Sequence, residues 1–123
     1  MKQQMPMVYV AGPFRAKDAW GIECNIREAE NLGLRVASFG VVPVIPHTMY
    51  RFFQGSLPDE FWLQAGLALL RACVSVVVTT TRIGAETSAG TMAEVDEARR
   101  LGLPVFFAGE VIDVQRLKGS STG

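Results

Sequence analysis

The chain has 123 residues, of which 49% are hydrophobic, and its twelve basic and twelve acidic residues leave a formal net charge of zero. Length and apolar content suit one domain that buries roughly two-thirds of the surface its unfolded form exposes. The charge balance leaves no basic field to hold a nucleic-acid polymer by counterion release. Cys24, Cys73 and the single His47 lack metal-ligand spacing, so neither a metal site nor any other cofactor is expected.

In chain order, Met7-Val8-Tyr9-Val10-Ala11 is a short β-type run stopped by Gly12-Pro13. Asp18 is placed to cap a helix in which Ile22, Ile26, Ala29, Gly33, Val36 and Ala37 recur at three- and four-residue steps. That helix is expected to reach Phe39 and to end at Gly40. Gly33 falls in its middle, at a cost of about 1 kcal/mol against Ala unless it permits close packing on a sheet. The next strand is Val41 to Ile45, and Pro43, with no amide to give a ladder, puts it at an edge.

An aromatic loop with Tyr50, Phe52 and Phe53 is expected after Pro46-His47-Thr48. Ser56 and Asp59 then have capping-box spacing for a helix from about Leu57 to Arg71, apolar nearly all round and therefore central or covered by a second subunit. Val74 to Thr79 reads as a third strand, Ala89 to Leu101 as a helix closed by Gly102, and Pro104 to Ala108 as a fourth strand. Glu110 to Leu117 is left as a short strand or a helical turn.

Alternating strands and helices predict an α/β domain over residues 1–117: a small, doubly wound, flavodoxin-like parallel sheet of four to five strands, with helices on both faces. Residues 118–123 read as a flexible polar tail. No signal peptide is expected, because the first apolar run ends at Gly12-Pro13, and Phe61 to Val78 carries Gln64, Gly66 and Arg71, which argues against a membrane span. Both thiols fit apolar filler in a reduced cytoplasm.

Ligands of such sheets bind beyond the carboxyl ends of the strands. The polar punctuation falls there: Gly12, Pro13, Phe14 and Arg15 after the first strand, His47 and Thr48 after the second, and Thr79 to Glu94 after the third. In Thr87-Ser88-Ala89-Gly90-Thr91-Met92-Ala93-Glu94, a helix start offers free amides to an anion, Ser88 and Thr91 add hydroxyls, and Gly90 admits a ligand to the backbone. Two readings of Glu94 stand at this point. It is a carboxylate looking into the cleft, or, with Thr91, half of a capping box. Gly12-Pro13 is likewise compatible with a plain turn, and His47 with a loop tie.

Together, Gly12-Pro13-Phe14-Arg15 and Ser88-x-Gly90-Thr91-x-x-Glu94 make the chain resemble the nucleoside 2-deoxyribosyltransferase superfamily over residues 7–108. It looks closest to the small nucleotide N-glycosidase branch, the 2'-deoxynucleoside 5'-phosphate N-hydrolases and CMP N-glycosidases. The resemblance implies that Glu94 attacks the anomeric carbon and that Ser88, Gly90 and the Gly12 to Arg15 loop hold a 5'-phosphate. It also implies that Tyr9 or His47 contacts sugar or base. A helix start is expected to keep Glu94 ionised. The implied partner is a nucleotide or nucleoside. The aromatic loop Tyr50 to Phe53 and the apolar helix around Trp62 predict a homodimer or larger assembly, and the resemblance implies that a neighbouring subunit completes the pocket.

The chain departs from the family where members carry two Asp residues, since those positions hold Gly66 and Val74. Asp59 lies two turns from Gly66, roughly 10 Å along the axis. Either another group such as His47 serves as acid, or the module binds a nucleotide or phosphorylated sugar without turnover. Gly90-Thr91-x-x-Glu94 also resembles the Gly-Thr-x-x-Glu element of the cytokinin-activating phosphoribohydrolases, but Thr87-Ser88-Ala89 replaces their Pro-Gly-Gly lead-in.

Overall fold

Parallel strands buried on both faces need near-continuous apolar runs, and the two central strands have them. The structure, a computed structural model, describes residues 4–119. Four parallel strands, β1 (Met7–Ala11), β2 (Val42–Val44), β3 (Ser75–Val78) and β4 (Val105–Phe106), form one sheet in the order β2-β1-β3-β4. Tyr9 pairs with Val44 on one side and Val76 on the other, and Val77 pairs with Phe106. Pro43 sits on edge strand β2 opposite Val8, as its missing amide requires.

The two-residue period of β1 separates the core into halves. Val8 and Val10 pack with Ala29 and Val36 of α1 (Ala19–Ala37) and Leu117 of α6 (Val114–Leu117). Tyr9 and Ala11 point the other way, to Leu70 of α3 (Asp59–Arg71) and Val95 and Ala98 of α5 (Ala89–Arg100). Helices thus cover both faces, and the fold is the small flavodoxin-like α/β sheet. Asp18 caps α1 by accepting from the Gly21 amide at 2.8 Å. Beyond α1 and α5 the chain turns at Gly40 (φ +90°) and Gly102 (φ +75°), in the left-handed region glycine tolerates.

Gly33 is buried, and a Cβ there would lie 3.0 Å from Ile45 Cγ1 and 3.4 Å from Pro43 Cβ, with Ile45 Cδ1 closer still. The missing side chain lets α1 press on the edge strand. Gly33→Ala is therefore expected to lower unfolding free energy by about 1–2 kcal/mol despite Ala's better helix propensity, as chemical denaturation would show.

Two local expectations need correction. Residues 46–53 form a helix, α2 (Pro46–Phe53), and not a loop. Pro46 stands in its first turn, where no amide is needed, and Arg51 ties it to Glu23 and Glu30 of α1 at 2.9–3.1 Å. Ser56 does not cap α3, because its hydroxyl donates to the Phe53 carbonyl and Pro58 precedes the first turn without a side-chain cap. A further turn, α4 (Arg82–Ala85), lies between β3 and α5, with Thr81 accepting from the Gly84 amide at 3.0 Å. The segment left open resolves as a helical turn, α6, capped by Asp113. Of the expected tail, Lys118 and Gly119 close α6, and residues 120–123 lie outside the described residues. Among the described residues no helix is long and apolar enough to cross a membrane.

Candidate active site

A cavity of about 630 Å³ opens beyond the carboxyl ends of β1 and β3, bounded by the β1–α1 loop, α2, the first turns of α3 and the start of α5. It brings together Gly12, Pro13, Phe14, Arg15, His47, Ser88, Gly90, Thr91 and Glu94. Their distance in sequence collapses because parallel strands deliver every following loop to the same edge.

Glu94 lies in the second turn of α5 and faces this cavity. Its Oε2 accepts a hydrogen bond from the hydroxyl of Tyr9, which is fully buried. The capping-box alternative does not hold: Ser88 is the cap, accepting from the Thr91 amide at 3.3 Å and from the Thr91 hydroxyl at 2.8 Å. Glu94 is left for the cavity. Burial pushes its carboxyl up from 4.5 to about 7, with the Tyr9 hydrogen bond pulling the other way. The expectation that the helix start keeps it ionised is thereby corrected, because the dipole's influence fades within the first turn and desolvation outweighs it. Tyr9 is raised above its ordinary range by burial and by the Glu94 charge, so it remains an O–H donor. Tyr9 lies behind the carboxylate and does not line the cavity, so it is a partner of Glu94 and not a direct contact for sugar or base.

His47 Nε2 lies 3.1 Å from both the Gly12 and the Pro13 carbonyl oxygens. Only a protonated nitrogen suits two acceptors, so Nε2–H is the donor and fastens the β1–α1 loop to α2. Burial lowers the pKa of the ring, and Nδ1 has no partner. A neutral imidazole with its one proton committed to carbonyls is a poor acid, and the catalytic assignment of His47 is corrected to a tie between loop and helix. Thr48 is exposed, donates to Glu30 Oε2 at 2.7 Å, and does not line the cavity. As the third residue of α2, it points to α1 once this segment is helical.

At the start of α5 the Ala89 and Gly90 amides precede the first intrahelical bond. Ser88 donates to no protein group among the described residues, and a Cβ on Gly90 would meet nothing within 4 Å, so this corner is open to a ligand. Thr91 lines the cavity, but its hydroxyl proton is committed to Ser88. Across the mouth, the exposed Arg15 pairs with Asp59 of α3.

Sequence reasoning missed Tyr50, Trp62, Asp59 and Glu60 as lining residues. Tyr50 follows His47 at helical spacing, a signal hidden once the segment was taken as a loop. Its ring stands edge-on to Phe14 (5.6 Å, 89°) and to Trp62 (5.7 Å, 62°), and its hydroxyl donates to the Trp62 carbonyl at 2.9 Å. Position 66 adjoins Glu94. A Cβ on Gly66 would lie 3.8 Å from Glu94 Oε2, 3.0 Å from the Tyr9 hydroxyl and 2.7 Å from that of Tyr50. Two tyrosine hydroxyls therefore fill the space of a side chain at 66.

A family model described as a domain of unknown function, DUF7768, matches residues 6–108. The chain belongs to the DUF7768 family. The DUF7768 match contains all four strands and every residue lining the cavity, and it leaves α6 outside. No curated protein matches the chain. Among the described residues of this DUF7768 chain, no three His, Cys, Asp or Glu side chains are grouped to hold a metal ion.

Proposed function

We propose that this DUF7768 protein cleaves the N-glycosidic bond of a nucleotide or nucleoside, with Glu94 as the nucleophile. The observation that carries the reading is a carboxylate at the cavity wall whose Oε2 is held by Tyr9 and whose Oε1 is bonded to no protein group among the described residues. Glu94 Oε1 attacks C1' as the C1'–N bond breaks and its electron pair leaves with the base. Water then adds to C1', the ester bond returns its pair to Glu94, and the water proton passes to solvent. The Ala89 and Gly90 amides with the Ser88 hydroxyl suit a 5'-phosphate. The likeness of Gly12-Pro13-Phe14-Arg15 and Ser88-x-Gly90-Thr91-x-x-Glu94 to the nucleoside 2-deoxyribosyltransferase superfamily supports the same chemistry.

Chromatography of a panel of nucleotides and nucleosides is expected to show free base, lost with Glu94→Gln. A second reading, binding without turnover, is favoured by one observation: His47 is neutral and tied to two carbonyls, and position 66 carries no acid. Binding with no base freed from any glycoside would establish it.

Phe52 is 83% exposed, and Phe53, Leu57, Phe61 and Leu69 also reach solvent from α2, α3 and the loop between them. Such a surface beside the cavity mouth fits contact with a second copy. We therefore propose a homodimer, and light scattering at micromolar concentration is expected to show twice the chain mass. The free thiols of Cys24 and Cys73 fit a reducing compartment such as the cytoplasm.

A further inference from the structure

Breaking the bond to a neutral base leaves negative charge on the departing nitrogen, which a protein acid ordinarily quenches. Among the described residues around this cavity that acid is missing. The His47 Nε2 proton is shared between two backbone carbonyls and its Nδ1 carries none. The Tyr50 proton goes to the Trp62 carbonyl, the Tyr9 proton to Glu94, and Gly66 has no side chain. Asp59 is held by Arg15, and Glu60 accepts from Gln64 at 3.1 Å.

The charge of the lining points the same way. Arg15 is its single cation among the described residues, already paired, against the carboxyl groups of Asp59, Glu60 and Glu94. The wall beside Glu94 is aromatic, built from Phe14, Tyr50 and Trp62. Carboxylates and ring faces together attract a cation.

We propose that the preferred substrates are N-glycosides whose base is itself a cation, a pyridinium or an N7-alkylated purine. The inference rests on the glycosidase reading above and supplies what that reading lacks. When C1'–N breaks in such a substrate, the electron pair neutralises the ring's own positive charge, and the base departs neutral without a proton. Glu94 receives C1' as an ester, water replaces it, and one proton goes to solvent. The cation also lowers the carboxyl pKa of Glu94, so binding itself ionises the nucleophile.

The test compares 7-methylguanosine with guanosine, which differ by one methyl group and one charge, and adds nicotinamide riboside and the 5'-monophosphates of all three. Wild-type kcat/KM is expected to favour the cationic glycosides by about 100-fold or more, with the preference and the activity both lost in Glu94→Gln of unchanged circular dichroism. Calorimetry supplies a readout without cleavage: N-methylnicotinamide, a pyridinium with no glycosidic bond, is expected to bind about tenfold more tightly than neutral nicotinamide. Guanosine cleaved as fast as its methylated form overturns the cation preference and leaves the glycosidase standing. Cation-selective binding with no base freed supports recognition of a cation and overturns the glycosidase. Equal binding of both probes with no cleavage overturns both.

Discussion

Glu94→Gln is expected to lower base release by about 10⁴-fold while raising the stability of the folded protein above pH 7. Glutamine retains an oxygen for the Tyr9 hydroxyl and has nearly the same volume, so the hydrogen bond behind the carboxylate survives. It cannot ionise and cannot attack C1'. The stability change has a definite sign. Burial raises the Glu94 carboxyl from 4.5 to about 7, so the folded state holds a proton that the unfolded chain releases in that window. Wild-type stability therefore falls as pH rises from about 4.5 to about 7, by up to about 3 kcal/mol, and the glutamine variant escapes this loss. Urea denaturation at pH 4 is expected to show near-equal stability, and at pH 8 a more stable variant. If the variant is weaker at pH 8, the carboxylate is there to hold the fold and the nucleophile assignment fails. Base release by wild type is expected to rise between pH 6 and 8 as Glu94 loses its proton, with the limb displaced to lower pH for a cationic substrate.

The second large effect is at Gly66. Alanine is the better helix former by about 1 kcal/mol, so a destabilised Gly66→Ala must owe its loss to collision. The new methyl group would lie 2.7 Å from the Tyr50 hydroxyl and 3.0 Å from that of Tyr9. Overpacking of this kind costs about 1–3 kcal/mol. Displacing either tyrosine also disturbs Glu94, so kcat is expected to fall with stability. Tyr50→Phe removes the nearer oxygen, and the double variant is expected to recover about 1 kcal/mol or more relative to the sum of the singles. Additive losses would mean that the two positions do not meet. The Tyr9 contact remains in the double variant, so full recovery is not expected.

The α/β order was legible because the four apolar runs, Asp18 and the glycines after α1 and α5 act over a few residues, and local signals survive in a linear reading. Gly33 was legible as a question, an unfavourable residue in a helix, and its answer lay in Ile45 and Pro43, residues that only the packing of α1 on β2 brings near. The α2 segment was misread because Pro46 and the aromatic residues carry weak helix propensity, and the ion pairs of Arg51 with Glu23 and Glu30 that support it join distant positions. That one error hid Tyr50 from the site and sent Thr48 to the wrong side. The protonation of Glu94 and His47 was likewise out of reach, since desolvation is set by the atoms that surround a group.

From the linear chain alone follow the parallel sheet, its edge strand, and the placement of Gly12 to Arg15 and Ser88 to Glu94 at one end of it, since hydrophobic period and strand-end topology dictate these. Tertiary structure decided the arrangement of the cavity: Tyr9 behind Glu94, His47 tied to a loop, two hydroxyls in the space over Gly66 and, among the described residues, one paired cation facing three acidic groups. Proton positions and charge balance depend on which groups meet across the cavity, and those meetings arise only when the helices close over the sheet.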